Sequence, residues 1–184
     1  MPQLIAYTDE SGDLILTRIA PDTGLTIPEI AHTVVPLGTT YAVLDDTALP
    51  ETSDYRAAWK IDDADPDNPV VVEDETKKVE IDRERALADL EDWFREMTEP
   101  GFATSDGWRL GLSEQDVTLL TGYYVLAKEA AALGMSIPPI IDKDGVPHPI
   151  AEIEELTAIM LAYGQRRADI SAEYAAKKAA ILGA

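Results

Sequence analysis

The chain has 184 residues, and 35 acids against 15 bases give it a formal net charge of −20 at pH 7. That excess repels phosphate backbones and anionic headgroups, which weighs against nucleic acid or a membrane surface as partner. Hydrophobic residues make up 46% and cysteine is absent, so the chain can bury a core but has no disulfide, thiolate metal site or cysteine nucleophile.

Strand signals come first. Leu4-Ile5-Ala6-Tyr7 and residues 13–19 flank Asp9-Glu10-Ser11-Gly12, a glycine-containing turn of hairpin length. Residues 27–32 predict one helical turn with Pro28 at its first position. Tyr41-Ala42-Val43-Leu44 reads as a strand closed by Asp45-Asp46, and Ala57 to Ile61 as a further strand or edge. Residues 62–69 carry no apolar anchor besides Ala64 and read as a linker, followed by Val70-Val71-Val72 as an edge strand. Residues 1–79 hold 16 acids and 5 bases, and residues 80–184 hold 19 and 10, so neither part is a basic nucleic-acid arm.

Helical periodicity begins at residue 80. A helix over 80–98 places Leu87, Leu90, Phe94 and Met97 on one face and ends at Glu99-Pro100-Gly101. Residues 108–112 predict a short strand or extended link. Ser113 is positioned as an N-cap, with Glu114 and Asp116 in the first turn. The following helix runs to Leu133, with Leu119, Leu120, Tyr123, Leu126, Ala127, Ala130 and Leu133 as its expected buried side and Gly134 beyond its end. Two proline-bearing strands around Asp142-Lys143-Asp144-Gly145 predict an edge hairpin over 137–150. The last helix, 151–182, repeats apolar positions at 3-4 spacing from Ile153 to Ile181.

The resulting fold class is α+β. A small β-rich domain covers residues 1–61, an acidic linker with an edge strand covers 62–79, and a mainly helical domain covers 80–184. No apolar run is long enough to span a bilayer, and Met1-Pro2-Gln3 opens no signal sequence, so the expected product is a soluble protein made in the cytoplasm.

Chemistry-bearing patterns are few. His32 and His148 lie apart, and no nucleophile elbow, phosphate loop or dinucleotide fingerprint occurs, so the expectation is no catalytic residue and no cofactor. Asp63, Asp65 and Asp67 alternate as in a calcium loop, with Asp74 at the twelfth position. Pro66 and Pro69 stiffen that loop and no amphipathic helix precedes it, which favours a solvated acidic linker. The 3-4 pattern of the last helix fits either a self-association seam or packing within its own domain, with Tyr163, Ile170 and Tyr174 as candidate partner contacts.

Two stretches resemble a known family. Val35-Pro36-Leu37-Gly38-Thr39-Thr40-Tyr41-Ala42-Val43-Leu44-Asp45-Asp46, then Leu49-Pro50 and Tyr55-Arg56-Ala57-Ala58-Trp59, resembles a pattern of small proteins encoded beside tail-fibre genes of tailed bacteriophages. The region from the 80–98 helix to the end is similar to a C-terminal domain of unknown function carried by many tail-fibre and tail-fibre-assembly proteins. In the family's usual form a short basic helix follows Arg-x-Ala-Trp; here the acidic residues 62–75 intervene.

The resemblance implies no catalytic residues. It implies a non-enzymatic structural protein of a phage tail, an adaptor or accessory subunit on fibre or baseplate proteins, residing in the virion tail. The alternative it implies is an assembly chaperone that leaves the finished particle. Tyr55, Arg56 and Trp59 are then candidate docking residues, set against a reading in which Trp59 is core and Arg56 sits in a surface ion pair. An acidic mimic of nucleic acid and a carboxylate glycan hydrolase are the readings from other classes. The charge predicts a monomer or weak oligomer in isolation, and the resemblance implies multiple copies arranged by the fibre or tail.

Overall fold

The computed structural model describes residues 3–20, 24–62 and 69–183, and the chain divides into two compact units, Met1–Glu84 and Arg85–Ala184. The expected α+β class holds: four helices and nine strands lie among the described residues, and every paired strand is antiparallel.

In the first unit, β1 (Gln3–Thr8) is the centre of a three-stranded sheet between β2 (Leu14–Arg18) and β3 (Tyr41–Asp45). The β1–β2 turn forms where expected, because the Asp9 carboxylate accepts from the Ser11 and Asp13 amides at 2.9 and 3.0 Å. Being central, β1 buries Leu4, Ile5 and Ala6 in succession, so the sheet is covered on both faces at that strand. Helix α1 (Ile27–Val34) carries Pro28 in its first turn, and Glu29 reaches back to the Thr26 amide and hydroxyl at 2.8 and 2.7 Å. A second ladder pairs β4 (Trp59–Asp62) with β5 (Val70–Glu73). Leu4, Ala6, Leu44, Trp59 and Val71 form this unit's core.

Helix α2 runs Glu75–Thr98, five residues earlier than the periodicity indicates. Its start is set by Asp74, whose carboxylate accepts from the Thr76 and Lys77 amides at 3.0 and 3.3 Å.

The second unit adds a hairpin that the sequence reading missed in part: β6 (Phe102–Ala103) pairs with β7 (Arg109–Leu110). Gly101 leads into it at φ +78°, and a Cβ there would sit 2.6 Å from the Leu110 carbonyl oxygen, so only glycine fits. Helix α3 (Glu114–Ala132) starts in a capping box, the Asp116 amide donating to Ser113 Oγ and the Ser113 amide to Asp116 Oδ2. Hairpin β8 (Ile140–Ile141) and β9 (Pro147–His148) precedes helix α4 (Ile153–Gly183).

The core of this unit gathers Leu110, Leu112, Leu120, Ala127, Ile140 and Leu156, with Tyr163 and Ile170 farther along α4. Full burial of a side chain such as Leu156 stabilises by roughly 1.5–3 kcal/mol. One expectation is corrected: Leu119, Leu126 and Leu133 do not face the core but lie exposed, while Val117, Leu120, Tyr123, Tyr124 and Ala127 turn inward. Among the described residues no helix is long and apolar enough to cross a membrane.

Candidate interaction sites

The residues singled out around the Arg-x-Ala-Trp element lie in the first unit. A 3-10 turn over Arg56–Ala58 feeds directly into β4. It turns Trp59 inward, where the ring is buried against Leu4, Leu44 and Val71. Its indole nitrogen finds no hydrogen-bond partner among the described residues. Trp59 is therefore an anchor of its own unit, and the reading of it as an exposed docking residue is corrected.

Arg56 is exposed. Tyr55 is half-buried, its hydroxyl donates to Asp82 Oδ1 at 2.7 Å, and Lys78 Nζ sits 4.7 Å from its ring centroid. Lys78 also pairs with Glu73 at 2.6 Å, and that carboxylate holds the lysine's pKa above its ordinary value. Of the three candidate docking residues, only Arg56 is exposed.

In the calcium candidate, Asp63, Asp65 and Asp67 lie outside the described residues. Asp74 is committed elsewhere: Lys60 pairs with it at 3.0 Å while it caps α2. The Lys60 hydrogen bond, followed by the Lys77 amide, holds the Asp74 carboxyl below its usual range. No group of three or more potential metal ligands occurs among the described residues.

In the second unit, α4 applies its repeat to its own domain. Tyr163 and Ile170 are 3% and 1% exposed, so neither is presented to a partner. The Tyr163 hydroxyl donates to the Gly111 carbonyl at 2.9 Å, and its ring meets Phe102 edge-on at 5.9 Å. Burial raises its pKa above the usual phenol value. Tyr174 meets Phe94 edge-on at 5.0 Å and donates to Glu91. The two basic residues of the repeat are also absorbed, Arg167 over the Phe94 ring and Lys177 over Trp93. The seam is thus an intramolecular packing face.

One concave feature of this unit has no counterpart in the sequence analysis. A cleft of about 290 Å³ opens between the start of α3 and the β8 hairpin, its wall including Leu110, Leu119, Leu120, Tyr123, Ile140 and Ile141. Its charged lining groups are structurally engaged. Asp116 closes the capping box, and Lys143 donates to the Glu99 carbonyl. Asp142 accepts from the Asp144 and Val146 amides at 2.9 and 2.8 Å and pairs with His148 Nε2 at 2.8 Å.

The His148 hydrogen bond is the main reason the Asp142 carboxyl stays below its usual range. The His148 ring stacks on Trp108 at 4.4 Å, so this histidine ties the two hairpins together. The cleft thus combines a mainly apolar wall with charged groups held in hydrogen bonds of the fold.

No protein-family model, curated protein or solved structure matches the chain.

Proposed function

We propose that the protein is a non-enzymatic structural component of a bacteriophage tail, an adaptor or accessory subunit associated with the fibre or baseplate. The observation that carries this reading is the run from Val35 to Trp59, which resembles the small proteins encoded beside tail-fibre genes. In this chain the run makes one framework. The Thr39 amide closes a turn on the Pro36 carbonyl at 3.1 Å, Tyr41–Asp45 enters the sheet, and Arg56–Ala58 delivers Trp59 to the core. Such a framework has residue types chosen for turns and packing, as a scaffolding module requires, and it leaves Arg56 outward.

Mass spectrometry of purified virions, with and without the gene, tests the proposal. Stoichiometric presence in the particle supports a tail component. Absence from the particle, combined with loss of fibres on deletion, replaces it with the assembly-chaperone reading. Absence combined with normally fibred particles on deletion refutes both.

A further inference from the structure

Hairpins β6–β7 and β8–β9 are joined by a backbone bond and by a charged side-chain unit. The bond runs from the Lys143 amide to the Arg109 carbonyl at 2.7 Å. The side-chain unit is built on His148. Its ring lies flat on Trp108, with centroids 4.4 Å apart and planes 10° from parallel, while its Nε2 meets Asp142 Oδ2 at 2.8 Å. Both hairpins also contribute to the wall of the cleft, Leu110 from β7 and Ile140, Ile141 and Asp142 from β8 and its turn.

The Asp142 side chain is only 7% exposed, and a carboxylate so placed is costly without a countercharge. Its Oδ1 is satisfied by the Asp144 and Val146 amides, which leaves Oδ2 to His148. The other charged groups of the surrounding elements do not supply that countercharge. Arg109 Nη1 donates to the Pro100 carbonyl at 2.8 Å, and Lys143 Nζ to the Glu99 carbonyl. Asp116 at the start of α3 accepts from the Ser113 amide, and Glu155 at the start of α4 from the Ala151 amide. Glu99, Asp106, Asp144, Glu152 and Glu154 are exposed acids. The His148 hydrogen bond leads the causes that hold the Asp142 carboxyl below its usual range, and the His148 charge acts in the same direction.

We propose that His148 is a proton-operated clamp: charged, it holds β8–β9 against β6–β7, and neutral, it lets the hairpins part and the cleft widen. Imidazole ordinarily changes charge between about pH 5 and 8. The imidazolium gives Asp142 its countercharge and sets a cation over the Trp108 ring. A neutral imidazole still donates one hydrogen bond, but the buried carboxylate then regains compensation only from water, which enters when the hairpins separate. The stability that the clamp adds is therefore present while His148 is charged and is lost as pH rises through its titration. This inference goes beyond the tail-protein reading and does not rest on it.

Hydrogen exchange at the Lys143 amide reads the clamp, because that N–H is bonded across the two hairpins. NMR on the full chain, from about pH 5.5 to about 8, follows its protection relative to the intrinsic rate at each pH. Protection is expected to fall at least about fivefold as pH rises, with a midpoint that matches the titration of the His148 ring recorded in the same samples. The Ile19 amide, bonded to the Gln3 carbonyl in the first unit, is expected to keep its protection. His148→Gln donates without titrating and should give low, pH-independent protection at Lys143. Asp142→Asn keeps an oxygen acceptor but no charge and should also remove the pH dependence. His32→Gln, at the chain's other histidine, should leave it intact. Level protection while the His148 ring titrates, a rise with pH, a fall shared by the Ile19 amide, or a pH dependence that persists in His148→Gln would each overturn the proposal. Should Asp142→Asn loosen the turn itself, the wild-type midpoint and His148→Gln still decide it.

Discussion

Tyr163→Phe isolates the claim that α4 packs inward. The substitution keeps the ring and its edge-on contact with Phe102 and deletes one buried hydroxyl. That hydroxyl is the donor to the Gly111 carbonyl, which joins α4 to the link before α3 across 52 residues of sequence. A net hydrogen bond of this kind contributes about 1 kcal/mol, and an acceptor left buried without its donor costs about 1–3 kcal/mol. Gly111 is itself buried, so water does not readily replace the phenol, and the expected loss is about 2 kcal/mol. For a unit of roughly 100 residues that lowers the melting temperature by roughly 10 °C. Urea unfolding of the full chain, followed by far-ultraviolet circular dichroism, measures it as a shift in midpoint at unchanged slope. If α4 instead presented Tyr163 to a partner, the midpoint at low protein concentration would not move. That result would refute the packing account.

Further expectations follow from the same contacts. Burial raises the Tyr163 pKa, so its contribution to stability is complete below its unfolded value near 10 and is lost as pH rises through the higher folded value; Tyr163→Phe should blunt alkaline unfolding. Asp142 has the opposite sign. Its lowered folded pKa gives stability that is present above the ordinary value of 3.8 and lost as pH falls through the folded one, so Asp142→Asn should flatten acid unfolding in that window. Gly101→Ala forces a side chain against the Leu110 carbonyl at positive φ and should cost more than about 1 kcal/mol by thermal melting, with no loss expected only if the backbone there relaxes. Ser113→Ala removes the hydroxyl of the capping box and should cost about 1 kcal/mol in the same assay.

How far the sequence could be read depended on what each signal measures. The β1–β2 turn and the α3 cap were legible because Asp9 and Ser113 act on backbone amides within four residues. The true start of α2 was not, since Glu75 to Lys78 show no apolar period and only the capping Asp74 announces the helix. Two-residue strands such as β6 are too short for alternation to register, although Asp106-Gly107 marked the turn beside them.

Apolar residues surround helix α3, so periodicity does not separate the buried Leu120 from the exposed Leu119. The α4 repeat shows that a face meets apolar groups, but it cannot say whether they belong to the same chain. Trp59 illustrates the same ambiguity: the motif marks it as important, and its burial makes the importance structural.

The association with tail proteins is tested most directly by isolating the chain, carrying an affinity tag, from phage-producing cells at about 0.15 M salt and measuring its companions by quantitative mass spectrometry. The account predicts a fibre or baseplate subunit in fixed stoichiometry with it, from particles or from their assembly intermediates. Recovery of the chain alone, or as a self-associated species with no tail protein, from cells that are making complete virions would contradict it.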